Sequence, residues 1–199
     1  VFFGSPEFAK IVLEKLISAG FTPAAVVCNP DKPIGRKQIL TSPPTKILAQ
    51  KHGIPVIQFG TLDIGYWKLE IEKIKNGGFD FFVVAAYSKI IPKEIIDIPK
   101  LGIIGVHPSL LPKYRGATPI QSVILNGEKE TGATLFLIDE KVDHGPILSK
   151  RETQIANRNY EELEKELAEM SGDLLVEILP KFLNGEIKPQ EQNHNEATF

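Results

Sequence analysis

The sequence predicts an α/β fold, a Rossmann-like doubly wound and mostly parallel sheet. Short apolar runs alternate with stretches of helical periodicity, the pattern of βαβ units. Two runs, Asp80–Ala86 beyond its first residue and Gly102–His107, are apolar almost throughout. That suits central parallel strands covered on both faces. The chain also opens as such sheets do. Val1–Phe3 is an apolar run, Gly4-Ser5-Pro6 is a tight turn, and Phe8, Ile11, Val12, Leu16 and Ile17 recur at helical spacing.

Each element follows in order. Ser5 before Pro6 predicts a helix N-cap with Pro at the first helical position. The turn lacks the Gly-x-Gly-x-x-Gly spacing that cradles a pyrophosphate, so a dinucleotide is not indicated. Ala24–Cys28 reads as the second strand, and Asn29–Pro44 as a loop rich in Pro, Lys and Gly. A helix over Thr45–His52 and a short strand over Pro55–Ile57 come next. Trp67–Lys75 predicts an exposed helix, ended by Asn76-Gly-Gly78. Beyond the two central strands, Pro119–Leu125 reads as a short helix, Gly132–Ile138 as a strand and Ile147–Ile155 as an outer strand. Tyr160, Leu163, Leu167, Met170, Leu174, Ile178 and Leu179 mark a long amphipathic helix. The polar tail after Gly185 reads as a linker. The expected division is one domain over 1–184 and a linker over 185–199. The chain begins Val1-Phe-Phe-Gly4 without Met, as if entered partway into its first strand.

The 199 residues hold one domain with a sizeable core, or one domain and an extension. Charged residues make up 24% and the net charge is −2, so no global basicity advertises nucleic acid, though a local basic patch stays open. One cysteine, Cys28, excludes an internal disulfide and a Cys-based zinc site, and its apolar flanks suit a small core residue. No apolar stretch spans a bilayer and no signal-peptide pattern is present, so a cytoplasmic protein is expected.

The chemistry concentrates in two segments. In Gly102–Gly116 an apolar run stops at His107 and a Pro-, Ser- and Gly-rich turn follows. That delivers a titratable group to the carboxyl end of a strand, where open α/β sheets bind ligands. Ile138–Ile147 offers Asp143 in a similar strand-to-loop context, with Asp139 its near competitor. A histidine with a carboxylate is a working acid–base pair, because the carboxylate fixes the tautomer and supports the imidazolium. Ser109 lacks a nucleophile-elbow context and suits a turn hydroxyl bonded to backbone. Arg115 either meets substrate or pins its loop to a carboxylate. Gln121, at the start of the next helix, is a candidate for the pocket. His52, His144 and His194 read as surface residues. No metal is implied, since the candidates lack zinc-ligand spacing.

His107-Pro-Ser-Leu-Leu-Pro-Lys-Tyr-Arg-Gly116 resembles the signature of the folate-dependent formyltransferases, which act on methionyl-tRNA, glycinamide ribonucleotide or amino sugars. The resemblance runs along nearly the whole chain. Phe3-Gly-Ser-Pro-Glu-Phe-Ala9, Asn29-Pro-Asp-Lys-Pro-Ile-Gly-Arg36, Pro44-Thr-Lys46, Ala85-Ala-Tyr-Ser-Lys-Ile-Ile-Pro92, Glu130-Thr-Gly-Ala-Thr134 and Glu196-Ala-Thr-Phe199 are similar to segments of the branch acting on methionyl-tRNA. The chain looks like that branch's catalytic N-terminal domain without the second domain. What the resemblance implies is formyl transfer from 10-formyltetrahydrofolate to initiator methionyl-tRNA, in translation initiation, by a cytoplasmic monomer. A sugar-nucleotide amine as acceptor, or a catalytically silent folate-binding module, are the alternatives.

In that family the site is an Asn, a His and an Asp. His107 and Asp143 match the last two, but the position of the Asn is Gly105, which has no amide to offer. Activity is therefore expected to lie below that of a Gly105→Asn variant. The resemblance further implies pterin contacts at Tyr87, Ser88, Lys89, Ile90 and Ile91 and at Glu140, Lys141 and Val142. Plain core packing is the other reading of Ile90 and Ile91. Substrate contacts are implied at Ser109, Leu110, Leu111, Pro112, Arg115 and Gln121. Arg36 and Lys37 are candidates for the tRNA acceptor stem. That loop carries Gln38 and Ile39 where the family pattern has two lysines, which removes cations from a phosphate-binding surface.

Overall fold

The computed structural model describes residues 1–59 and 78–199. β1 (Phe2–Phe3) turns into α1 (Glu7–Ser18), which returns to β2 (Val26–Cys28). A small hairpin follows, β3 (Lys32–Ile34) and β4 (Ile39–Thr41), then α2 (Pro44–Lys51) and β5 (Val56–Gln58). Beyond residue 78 come β6 (Phe82–Ala85), the single turn α3 (Lys93–Ile96), β7 (Ile103–His107) and α4 (Pro119–Leu125). The long strands β8 (Glu130–Leu137) and β9 (Ile147–Gln154) precede α5 (Tyr160–Leu183). The predicted Trp67–Lys75 helix lies outside the described residues.

The main sheet runs β5-β2-β1-β6-β7-β8-β9. The strands from β5 to β7 are parallel to one another, while β8 is antiparallel to β7 and β9 to β8. The chain winds outward from β1 first through β2 and then, on the other side, through β6. That reversal opens a crevice at the carboxyl ends of β1 and β6.

Each face of the sheet has its own core. On one, Phe8, Val12, Leu13 and Leu16 of α1 meet Leu163, Leu167, Leu174, Leu175 and Ile178 of α5 over Val26, Val83, Ile104 and Leu135. On the other, Phe3, Val27, Ile57, Phe59, Phe79, Phe82, Ile95 and Ile103 pack together. Successive residues of a strand point to opposite faces. Ile104 and Val106 therefore join the first core, and Gly105 and His107 share the side of Ile103. Cys28 is buried, and desolvation pushes its thiol up to about 11.

Asn159 caps α5 as the sequence of its first turn allows. Its side chain accepts from the Glu162 N–H at 3.0 Å, and the Glu162 carboxylate accepts from the Asn159 N–H at 3.0 Å. Both donors would otherwise lack partners. Asn159→Ala is expected to cost about 0.5–2 kcal/mol in urea unfolding; an unchanged midpoint would show the cap is dispensable.

The structure departs from the sequence reading in three places. Ser5 does not cap α1, whose N-cap is Pro6 without a side-chain bond. Its hydroxyl instead accepts from the Asn29 N–H at 2.9 Å and ties the turn after β1 to the end of β2. The Asn29–Pro44 loop contains the β3–β4 hairpin, whose strands are exposed on both faces and so lack the alternation that marks a half-buried strand. Asp31 anchors its base, accepting from Lys46 Nζ at 2.8 Å. Finally, the tail after Gly185 is docked. Gln190 bridges to Ile147, and a 3-10 turn spans His194–Glu196.

Candidate active site

A cleft of about 330 Å³ opens at the carboxyl ends of β1, β6 and β7. Pro6 and Phe8 line it from the β1–α1 turn, Val84, Ala86, Tyr87 and Ser88 from the end of β6, and Gly105 to Pro108 from β7. Gly116, Ala117, Ile120 and Gln121 close one side, Phe136, Ile138 and Asp143 another, and Tyr160 and Glu164 of α5 a third.

His107 is the last residue of β7 and is 5% exposed. Its Nε2 lies 2.7 Å from the Tyr114 carbonyl oxygen. A carbonyl only accepts, so Nε2 carries a proton and the neutral ring keeps its lone pair on Nδ1. Nδ1 lies 3.6 Å from Asp143 Oδ2. That is longer than a formed hydrogen bond, but close enough for the carboxylate to support the imidazolium once Nδ1 takes a proton. Such contacts commonly tighten only when substrate is bound. Asp143 is aimed by the Gly116 N–H, which donates to Oδ2 at 2.7 Å, and its backbone is left-handed with φ 47°. Gly145, two residues on, must be glycine, since a Cβ there would lie 1.9 Å from the Leu137 carbonyl oxygen.

The loop carrying Ser109 to Arg115 is built from within. Thr134, opposite His107 in the β7–β8 register, donates to the Ser109 carbonyl at 2.6 Å and accepts from the Leu111 N–H at 3.1 Å. The Ser109 hydroxyl donates to the Lys113 carbonyl at 2.7 Å, and Lys150 Nζ donates to the Leu111 carbonyl. Ser109 and Leu111 have no exposed surface, and neither lines the cleft. These side chains shape the loop. Leu110 packs over Gly132 and Pro112 is half-buried, also away from the cleft. Arg115 is 7% exposed and pins its loop, although to the tail and not to a carboxylate. Its Nη2 donates to Gln192 Oε1 at 2.6 Å and to His194 Nδ1 at 2.9 Å. Gln121 does line the cleft, and Arg36 and Lys37 sit on the exposed turn between β3 and β4.

The expected pterin contacts divide. Tyr87 and Ser88 line the cleft, and burial raises the Tyr87 phenol above its ordinary range. Lys89 Nζ donates to the Phe59 carbonyl. Ile91 is buried in the second core and Ile90 is 80% exposed, so Ile91 follows the packing reading. Glu140, Lys141 and Val142 are exposed and do not line the cleft; Glu140 pairs with Lys93 at 3.0 Å.

Gly105 has a direct structural counterpart. It pairs with Phe136 across β7 and β8, and both point to the same face. A Cβ on residue 105 would lie 2.4 and 2.5 Å from Phe136 Cε1 and Cζ. The ring thus fills the place a side chain at 105 would take. From the sequence Phe8, Phe136 and Tyr160 fall in regular elements with no site role, and none falls to Ile120 or Glu164 either, yet all of them line the cleft. Tyr160 donates to Glu164 Oε1 at 2.8 Å, and burial with that carboxylate pushes its phenol up to about 12.

The tail docks on the loop after His107 and on the turn bearing Asp143. The His144 and His194 rings stack with centroids 4.0 Å apart and planes 5° from parallel. His144 Nδ1 lies 2.7 Å from Asp139 Oδ2. Thr198 accepts from the Tyr114 N–H at its hydroxyl and from the Arg115 N–H at its carbonyl, each at 2.8 Å. Desolvation, then the neighbouring His144 and Arg115, and more weakly Lys141, hold the His194 imidazole below its ordinary value; Glu191 opposes them. The docked tail therefore prefers neutral His194, and the released tail takes up the proton first. The contribution of His194 to docking is fully present above the ordinary imidazole value of about 6.5 and weakens as the pH falls below it. Amide exchange of residues 190–198, corrected for intrinsic rates, is expected to quicken between about pH 7 and about pH 5 relative to the sheet. A His194→Phe variant keeps the stack and should flatten that dependence; equal slopes in both proteins would sink the assignment.

The model of the formyl transferase family matches residues 1–179. The chain belongs to that family. Methionyl-tRNA formyltransferases from Thermotoga maritima and Halalkalibacterium halodurans are each 42% identical to it over 200 residues, which is 100% of this chain. The chain spans 63% and 62% of their respective lengths. Among solved structures, a phosphoribosylglycinamide formyltransferase from Anaplasma phagocytophilum matches with a TM-score of 0.76 at 21% identity, covering 98% of this chain and 95% of that one. WlaRD, a sugar 3N-formyl transferase determined in the presence of dTDP and 5-N-formyl-THF, matches with a TM-score of 0.72 at 24% identity, covering 100% and 68%. Both likenesses are of fold, and the formyl transferase sheet is the one described above.

Proposed function

We propose that the chain transfers the formyl group of 10-formyltetrahydrofolate to the amino group of initiator methionyl-tRNA. The observation that carries the reaction class is the pairing of His107 and Asp143 in the cleft, at the carboxyl edge of the sheet. The likeness to methionyl-tRNA formyltransferases supports the acceptor, as does the exposed β3–β4 turn bearing Arg36 and Lys37. The cleft suits a folate. Val84, Phe136 and Ile138 give apolar walls for a flat ring, Tyr87 and Ser88 sit at its edge, and the volume is in the range of small-molecule sites.

In this reaction an uncharged amine attacks the formyl carbon. The new C–N bond forms as the carbonyl oxygen becomes an oxyanion, and the amine proton passes to base. The C–N bond to the folate then breaks and the departing nitrogen gains a proton. His107 Nδ1, bare in the neutral ring and faced by Asp143, takes up the amine proton; once protonated it donates to the oxyanion and then delivers that proton to the departing nitrogen. Residue 105 contributes no amide, and Phe136 stands where one would reach. Turnover below that of relatives bearing the Asn follows from this. On this reading the protein works in the cytoplasm as a monomer, and among the described residues no helix is long and apolar enough to cross a membrane.

The test is release of tetrahydrofolate from 10-formyltetrahydrofolate with initiator methionyl-tRNA, the same amino acid on an elongator tRNA, and a dTDP-amino sugar. Turnover with the initiator species alone supports the proposal. Turnover only with the sugar would assign a sugar-nucleotide acceptor. Folate binding without turnover on any acceptor would make the chain a silent binding module, for which the Gly105–Phe136 arrangement is the motive.

A further inference from the structure

We propose that Gln192 is a positioning residue for the His107–Asp143 pair. Gln192 lies in the tail, far in sequence from either, and is 6% exposed. Every hydrogen-bonding face of its amide is engaged. Nε2 donates to the Asp143 carbonyl at 3.0 Å and to the Gly145 carbonyl at 2.7 Å, while Oε1 accepts from Arg115 Nη2 at 2.6 Å. The amide cannot be reversed, because its NH₂ would then face a guanidinium and its oxygen two carbonyls.

The clamp falls where Asp143 most needs holding. Asp143 adopts a left-handed backbone that a non-glycine residue reaches only at a cost. Its carbonyl and that of Gly145 both accept from Gln192 of the tail. The same amide grips Arg115, whose neighbour Gly116 donates to Asp143 Oδ2. One side chain therefore joins the loop after His107 to the turn bearing Asp143 and fixes the carboxylate from its main-chain side and through Gly116. Arg115 matters here as the arm of the clamp.

Two substitutions separate holding from mere docking. Gln192→Ala removes all three bonds. Gln192→Glu keeps the Arg115 contact, now as an ion pair, but sets a carboxylate oxygen against two carbonyls, so the tail stays docked while the turn is freed. In the full chain both variants are expected to lower kcat about tenfold or more, since small misplacements of a reacting group have large effects. KM for the folate should stay within about twofold, because the pocket walls are untouched. In an Asp143→Asn background the further loss should be under about twofold, since the clamp acts through Asp143. A spectroscopic arm does not require turnover. The ring Cε1–Hε1 resonance of His107 should move in both variants in the direction seen for Asp143→Asn, while that of His52 stays. Unchanged kcat, a full loss added on top of Asp143→Asn, or a fixed His107 resonance would each overturn the proposal. The kinetic arms rest on the proposed formyl transfer. If the unaltered chain turns over no acceptor, that reading fails on its own, and the His107 resonance alone decides the clamp: moved supports it, unmoved overturns it.

Discussion

Replacing His107 by Gln is expected to lower formyl transfer by about 10²–10⁴-fold with little change in fold. The side chain ends β7 at the cleft, so the substitution lies at the edge of the sheet. The Gln amide reaches as far as the imidazole Nε2, so it can still donate to the Tyr114 carbonyl, which keeps the loop closed. What it lacks is a ring nitrogen that can take up a proton and hand it on. The proton for the departing folate nitrogen then has to come from water, without orientation by Asp143. The measurement is kcat beside the thermal midpoint. A rate within tenfold of the unaltered chain, in a variant that melts at the same temperature, would remove His107 from the chemistry.

The second large effect concerns Gly105. Restoring Asn alone looks from the sequence like a repair, but the structure turns that expectation around. The new Cβ would meet the Phe136 ring at 2.4 Å, inside any ordinary contact. Phe136 is 3% exposed, and its ring would have to shift within the cleft it lines to make way. Gly105→Asn is therefore expected to destabilise the fold by about 1–3 kcal/mol and to leave turnover no higher. Phe136→Ala clears the space. The double variant should transfer formyl groups faster than Phe136→Ala alone, by up to about 10²–10³-fold if the amide reaches the oxyanion. Comparing the four proteins by urea unfolding and by turnover gives a complete cycle. A stable and faster Gly105→Asn single variant would show that the ring is no obstacle.

These two sites illustrate what the sequence discloses. His107 is legible because an apolar strand ending in a titratable residue is a local pattern, and Asp143 because it sits in a comparable context. The sheet is legible for the same reason: its central strands are continuous apolar runs and α5 carries an uninterrupted stripe. Phe136 is a different matter. In the sequence it is one more apolar residue in a strand, and only the antiparallel register of β7 and β8 sets it against Gly105. The β3–β4 hairpin escapes because both faces are exposed, leaving Ile34, Ile39 and Leu40 without a polar–apolar rhythm. The tail escapes because its polar composition suits a solvated linker as well as a strap whose amides and imidazoles find partners. Gln192 and His194 acquire meaning only from Arg115, His144 and the carbonyls of the Asp143 turn.

The seating of Thr198 has a consequence for whatever is joined at Phe199. Because Thr198 bonds to the backbone of Tyr114 and Arg115, and Tyr114 holds the ring of His107, this end of the polypeptide sits at the rim of the cleft. A module attached there sets out beside the reacting groups, so it needs no long tether to hold a bound acceptor at high effective concentration. The same proximity makes Phe199 a poor place to join a bulky tag, which would shadow the approach to the cleft.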